Sequence, residues 1–418
     1  MLRFIYRGHD RRGFFADACL LDPGQSVLAP LADNMPPAEG AYLCIVPVLD
    51  AWRVIPSLAR QRGARYFGDA IEPAVLADVR AGRALIVFDI CNEGPVFHAD
   101  VFHALHRFAA ERQIPMPRLI WLSQNRAVES AYHATYQAPD VYCLRFEVYD
   151  FFIKHAVWRC ARPDEDGAIE AHVAAMFDPQ GKDRVLLCPN AAPRVHRVVT
   201  VAALMQLGVF EESLVLFAGL QDDKDGDVGD HEGVARFLAA HPGLAYLRES
   251  CMAAMELRGL KVDGFSEAGN ALFDKIDVQP YRRTFFSLVT ETEVSDGAVD
   301  RVTEKLIKAF CLGHPNMVVG NPASLRFARE LGFQDFAPVI PALYDRESDP
   351  GRRLQMVFEQ VGATCAAIRR DPAAWLGAVR EIVTHNAGQA MRGRALEAYV
   401  ARYERPLRDR LARLLADG

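Results

Sequence analysis

Four charged residues in one short stretch, Glu291, Glu293, Glu304 and Lys305, are spaced so that a folded chain could gather them around an anionic ligand. Residues 286–333 read as strand, acidic loop, helix, strand, tight turn, helix. In open α/β sheets, ligands bind beyond the carboxyl ends of the strands, where backbone N–H groups and helix N-termini gather positive potential. Asp300 is the expected N-cap of the first helix, followed by Arg301, Val302, Thr303, Glu304 and Lys305. Arg301, Lys305 and Lys308 then share one face, and Val302, Leu306, Ala309 and Phe310 form the buried stripe. Cations in the first turns oppose the helix macrodipole, and a bound diphosphate would remove that conflict while using the free N–H groups. The same charges read equally well as an exposed Glu304/Lys308 pair worth about 0.2–0.5 kcal/mol, with Lys305 solvated.

Downstream, a strand over residues 316–319 meets Gly320, Asn321 and Pro322. Asn321 is the expected cap of the next helix, and Gly332 its end. Such a turn can bring backbone close to a ligand, although turn chemistry alone accounts for it. Earlier, residues 188–197 read CPNAAPRVHR, where a strand turns into a helix. Asn190 lies in the turn, and Arg194 and Arg197 are cations at the helix start, a placement that suits a nearby anion. His196 is read as a hydrogen-bonding residue in preference to a base.

A carboxylate able to take a proton is expected at the end of the strand over residues 84–90. Asp89 and Glu93 flank that end, with Gly94 and Pro95 shaping the turn, and Glu93 is the first choice as general base. Ser123, Gln124, Asn125 and Arg126 follow the next strand and could line the same place. Asp223 and Asp225, in an acidic loop after residues 213–217, could hold a divalent cation, or form a solvated loop. Counting from Asp223 puts Val228 where an EF-hand requires glycine. His98, His103 and His106 lack a carboxylate or cysteine at metal-binding spacing, so no metal site is expected. Walker A, dinucleotide-binding, zinc-protease and nucleophile-elbow motifs are missing from the sequence.

The elements that must hold these residues alternate between short apolar runs and helical periodicity, the pattern of an α/β fold. Strands are expected over residues 42–48, 84–90, 118–122, 184–188, 213–217, 285–289 and 317–319, and helices over 101–110 and 195–207. The 418 residues divide into a first α/β domain (1–165), a second α/β domain (183–348) and a helical segment (349–418). A polar stretch between residues 162 and 183 is the expected linker. Two Rossmann-like domains facing a cleft, with C-terminal helices packed across them, are the expected architecture.

A net charge of −6 lacks the concentrated basic face that nucleic acid requires. Nine scattered cysteines, several inside apolar runs, fit reduced thiols and a cytoplasmic location. No apolar run suits a membrane span, and the N-terminus lacks the apolar core of a signal peptide. The basic, amphipathic C-terminus leaves open peripheral contact with the inner membrane.

The acidic loop, the T-E-K of residues 303–305, the following strand and the G-N-P turn together resemble the donor-binding region of fucosyltransferase-like glycosyltransferases of GT-B architecture. In α-1,3-fucosyltransferases the Glu of this motif binds ribose and the Lys binds phosphate. The resemblance therefore implies Glu304 for ribose hydroxyls, Lys305 for the diphosphate and Glu291 near the donor sugar. Arg301 stands where that family commonly has an aromatic residue, so neither base nor sugar transfers. Residues 188–197 are similar to the N-R-x-P-R-x-H-R segment of bacterial glycosyltransferase-like proteins, with Ala191 in place of the first Arg.

The resemblance covers about residues 185–336. It implies an inverting, metal-independent transfer of a sugar from a nucleotide diphosphate sugar to an acceptor hydroxyl on a glycan or glycolipid. The expected setting is bacterial surface glycan synthesis, with no cofactor beyond the donor substrate. Arg194, Arg197 and Lys305 would balance the leaving diphosphate, and Asn190 and Asn321 would line the donor site. Two alternatives stand beside it: a metal-dependent GT-A enzyme using Asp223 and Asp225, and a non-catalytic nucleotide-sugar or glycan-binding protein.

Overall fold

The computed structural model describes residues 2–6, 26–30, 39–48, 71–91, 94–138, 140–161, 167–190, 194–219, 231–260 and 277–416. The chain forms two compact units. The first comprises Met1–Phe151, Ala298–Arg301 and Tyr399–Gly418; the second comprises Phe152–Gly297 and Val302–Ala398.

The first unit is built on strands β1 (Leu2–Tyr6), β2 (Ser26–Pro30), β3 (Tyr42–Pro47), β4 (Ala84–Ile90), β5 (Leu119–Ser123) and β6 (Arg145–Val148). All six are parallel, in the order β2-β1-β3-β4-β5-β6. β4 is buried at every position, as its continuous apolar run requires of a parallel strand covered on both faces. Helices Pro73–Arg80, Ala99–Glu111 and Ala127–Thr135 belong to this unit, and Phe88, Phe102, Phe108, Trp121 and Tyr132 form the centre of its core. Pro47 does not break β3. It ends the strand, and the next amide, Val48, resumes the bond to Asp89 O at 2.9 Å.

Residues 399–416 fold with this unit and not as part of a separate helical segment. Arg410 grips both carboxylate oxygens of Glu147, with its shortest contact 2.6 Å, and the Tyr399 hydroxyl donates to Asp150 O at 3.1 Å. The expected linker also lies elsewhere. Helix Ala168–Met176 belongs to the second unit, where His172 Nε2 donates to Leu312 O at 2.9 Å and Val173 and Met176 are buried. Burying those apolar side chains outweighs the polarity of the short neighbouring stretches that suggested a boundary.

The second unit holds β7 (Arg184–Pro189), β8 (Ser213–Gly219), β9 (Arg258–Leu260), β10 (Thr284–Thr290) and β11 (Asn316–Val319). Their order is β11-β10-β7-β8-β9, with only β9 antiparallel. The chain builds outward from β7 to β8 and β9, then crosses back to add β10 and β11 on the other side. The order therefore reverses between β7 and β10. This is the topological switch point at which doubly wound sheets open a crevice for ligands.

Long helices Pro350–Arg370 and Pro372–Met391 complete the unit, each with an Asp side chain accepting from a first-turn amide. The two strands at the switch point, β7 and β10, follow apolar runs legible in the sequence. No described helix is long and apolar enough to cross a membrane.

Candidate functional site

At the switch point, Asn190 follows β7 and Glu291 follows β10. Asn190 is fully buried: its Oδ1 accepts from Thr290 Oγ1 at 2.9 Å and its Nδ2 donates to Arg197 O at 3.0 Å. It thus joins the end of β7, the end of β10 and the first turn of helix Val195–Gln206. Both polar atoms of its side chain are engaged within the protein, binding the ends of β7 and β10 to the helix turn.

Arg197 and His196, from the same helix turn, both reach the Glu291 carbonyl, Arg197 Nη2 at 3.1 Å and His196 Nε2 at 3.0 Å. Burial and the Arg197 charge push the His196 imidazole down to about 3, so it is neutral and carries its proton on Nε2. Burial and Arg194 lower Arg197 to about 10, which leaves it charged. Glu291 and Glu304 pull in the opposite direction on Arg197. Arg194 itself is the N-cap residue, half-buried, and its guanidinium has no hydrogen-bond partner among the described residues.

Glu291 is buried and directed at the next helix. Its Oε2 accepts from Thr303 N at 3.0 Å and from Thr303 Oγ1 at 2.6 Å. Thr303, and not Asp300, is the N-cap: the helix runs Glu304–Cys311, and Thr303 Oγ1 accepts from Lys305 N at 3.4 Å. The buried Glu291 carboxylate offers Thr303 two bonds that an earlier start would forfeit. Asp300 and Arg301 are instead held within the first unit. There Asn125 Oδ1 accepts from Asp300 N at 2.9 Å, and Arg301 Nη1 donates to Gln124 Oε1 at 3.1 Å. Arg301 consequently shares no helical face with Lys305 and Lys308.

The next two residues carry the ionic chemistry. Lys305 Nζ donates to Glu304 Oε1 at 3.1 Å and to Thr303 Oγ1 at 3.2 Å, with its side chain still 27 % exposed. Burial pushes the Glu304 carboxyl up, but Lys305 and Lys308 outweigh it and hold the group below its ordinary value, hence ionised. Glu304 Oε2 is buried without a hydrogen-bond partner among the described residues. Glu304 and Lys308 are thus not a solvated surface pair: Glu304 is buried, and burial lowers the Lys308 pKa.

Asn321 does not cap a helix. Its Oδ1 accepts from Ser295 N at 2.9 Å and Ser295 Oγ at 2.8 Å, and the following helix starts only at Leu325. Asn321 thereby ties the turn after β11 to the acidic loop after β10.

In the first unit, Asp89 is the penultimate residue of β4, is buried, and accepts from Cys91 N at 3.0 Å through Oδ1, the arrangement of a local turn. Glu93 lies outside the described residues, as do Asp223 and Asp225. Gln124 Oε1 and the Asn125 side chain bond the segment Ala298–Arg301, and Arg126 pairs with Asp150 at 2.5 Å. His106 bonds the Tyr132 hydroxyl at 2.8 Å inside an aromatic cluster. Among the described residues, no group of His, Cys, Asp or Glu could hold a metal ion.

The site therefore gathers Asn190, Arg194, His196, Arg197, Glu291, Thr303, Glu304 and Lys305 around the carboxyl ends of β7 and β10. Sequence reasoning placed Thr303 inside the helix and missed it as the cap; a threonine directly before Glu304 was the available signal, and its bond to Glu291 had none. No family model, curated protein or solved structure matches the chain.

Proposed function

We propose that the chain is a glycosyltransferase of the GT-B class, taking its sugar from a nucleotide diphosphate sugar bound at the switch point of the second unit. The observation that carries this is Glu304 Oε2, a buried, ionised acceptor without a partner among the described residues, set beside Lys305 at a helix start. A desolvated acceptor is costly unless a donor meets it, and a ribose hydroxyl is a donor of the right kind. Lys305 and Arg194 keep charge available at the helix ends for phosphate oxygens, as a diphosphate leaving group requires.

In the reaction, an acceptor hydroxyl attacks the anomeric carbon, the bond to the diphosphate breaks, and a carboxylate takes the hydroxyl proton. Arg194 and Lys305 stabilise the charge that develops on the departing diphosphate, with Arg197 adding its field from within the protein. Glu93 is the preferred base and Asp89 the second choice. The acceptor is a glycan or glycolipid hydroxyl, in keeping with surface glycan synthesis in bacteria.

Incubating the protein with nucleoside diphosphate sugars and a panel of glycan acceptors, with product read by mass spectrometry, tests the proposal. A product heavier by one sugar residue is expected, and it should persist in the presence of a chelator. Diphosphate binding with neither transfer nor donor hydrolysis would leave a binding protein instead.

A further inference from the structure

Arg353 lies in the first turn of helix Pro350–Arg370, is buried, and directs its guanidinium at main-chain carbonyls. Its Nε donates to Gly320 O at 2.9 Å, its Nη1 to Glu347 O at 2.6 Å and Ser348 O at 3.1 Å, and its Nη2 to Ser295 O. Those carbonyls belong to three segments: the turn after β11, the lead-in to its own helix, and the loop 291–297 that leaves β10. Asn321 holds the same loop from the other side through Ser295.

Burial pulls Arg353 down to about 10, which leaves it charged, and Asp349, Glu347, Asp345 and Asp296 favour that charge. Asp296 is itself in the loop. A planar fork of five N–H donors can bridge three segments at once; a lysine ammonium, compact and with three donors, cannot. Glu291, at the root of this loop, supports Thr303 at the start of the Glu304 helix, so the loop and the helix start form one bonded unit.

We propose that Arg353 is a positioning residue that locks the loop 291–297 in the conformation required for ligand binding at the switch point. Its link to ligand rests on the donor-site proposal above, whereas the lock itself does not. A residue serving only to pack its helix would, when replaced, loosen residues 354–370. A lock on the loop loosens 291–297 selectively.

Hydrogen exchange of the full chain, followed by mass spectrometry, separates the two. In Arg353→Lys, exchange in 291–297 is expected to rise about tenfold or more while 357–370 is unchanged. Affinity for the diphosphate that binds wild type best, among uridine, guanosine, cytidine and adenosine diphosphates, should fall by a similar factor. Asn321→Ala removes the second tether and should loosen the same loop, which keeps the test usable if Arg353→Lys does not fold.

Unchanged exchange in 291–297 in either folded variant, or loosening spread equally through 357–370 in Arg353→Lys, would overturn the lock. A loosened loop with undiminished affinity for a diphosphate would overturn its role in positioning. If wild type binds none of the four while the loop still loosens selectively, the donor-site proposal fails and the lock stands.

Discussion

Replacing Thr303 by valine removes one hydroxyl and little volume, yet that hydroxyl sits where three parts of the site meet. It donates to Glu291 Oε2 at 2.6 Å, accepts from Lys305 Nζ at 3.2 Å, and caps the helix through Lys305 N at 3.4 Å. A hydrogen bond to a buried charge is worth about 1.5–3 kcal/mol. An N-cap adds about 1 kcal/mol in general, and less here because the bond to Lys305 N is long.

The two contributions share one oxygen and are not summed in full, so the loss should be about 2–3 kcal/mol. Native-state hydrogen exchange of amides 306–311 reads this locally, without assuming that a chain of two units unfolds in one step. The amides of the Glu304 helix should exchange about 30–150-fold faster in Thr303→Val, the equivalent of that loss. Thr303→Ser keeps the hydroxyl, removes one methyl group and should cost about 1 kcal/mol or less. Equal acceleration by both variants, or less than about threefold by valine, would refute the bonding scheme.

The pH dependence of stability carries a definite sign. His196 and His314 are buried and neutral, each pushed down to about 3 from an ordinary 6.5, so the unfolded chain binds more protons between those values. Stability should therefore fall as pH drops below about 6.5, by up to about 1.4 kcal/mol per pH unit for each histidine. The urea midpoint measured from pH 7.5 to 5 checks this, and His314→Gln should make the slope shallower by about one proton. Gly313 has φ 63°, and a Cβ there would lie 2.6 Å from Val383 O, so Gly313→Ala should cost about 2 kcal/mol or more in thermal denaturation.

Much of the frame was legible because parallel strands buried on both faces leave uninterrupted apolar runs. The runs over 84–90 and 184–188 became β4 and β7 nearly unchanged. Glu304 and Lys305 were legible as charged residues in the first turns of a helix. Bonds between residues distant in sequence were not. Asp300 reads as a better cap than Thr303 until Glu291, twelve residues back, supplies Thr303 with two bonds. Asn321 and Pro322 look like a helix start until Ser295 claims the Asn321 side chain.

Arg353 gave no local signal, because a guanidinium serving three carbonyl segments resembles any arginine in a first helical turn. The switch point was inaccessible for the same reason: it depends on β10 crossing back to pair with β7, a pairing across about a hundred residues.

Titrating the protein with nucleoside diphosphates while following its melting temperature tests most directly whether Glu304 and Lys305 form a diphosphate site. A ligand bound only by the folded chain raises the apparent stability in proportion to its affinity. Lys305→Gln is the informative partner, since an amide can still donate to Glu304 Oε1 but brings no charge to a phosphate. At least one nucleoside diphosphate should raise the melting temperature of wild type, and the shift should largely vanish in Lys305→Gln while the unliganded melting temperature stays close to wild type. No shift with any of them, or an equal shift in the variant, would contradict a donor site at this helix.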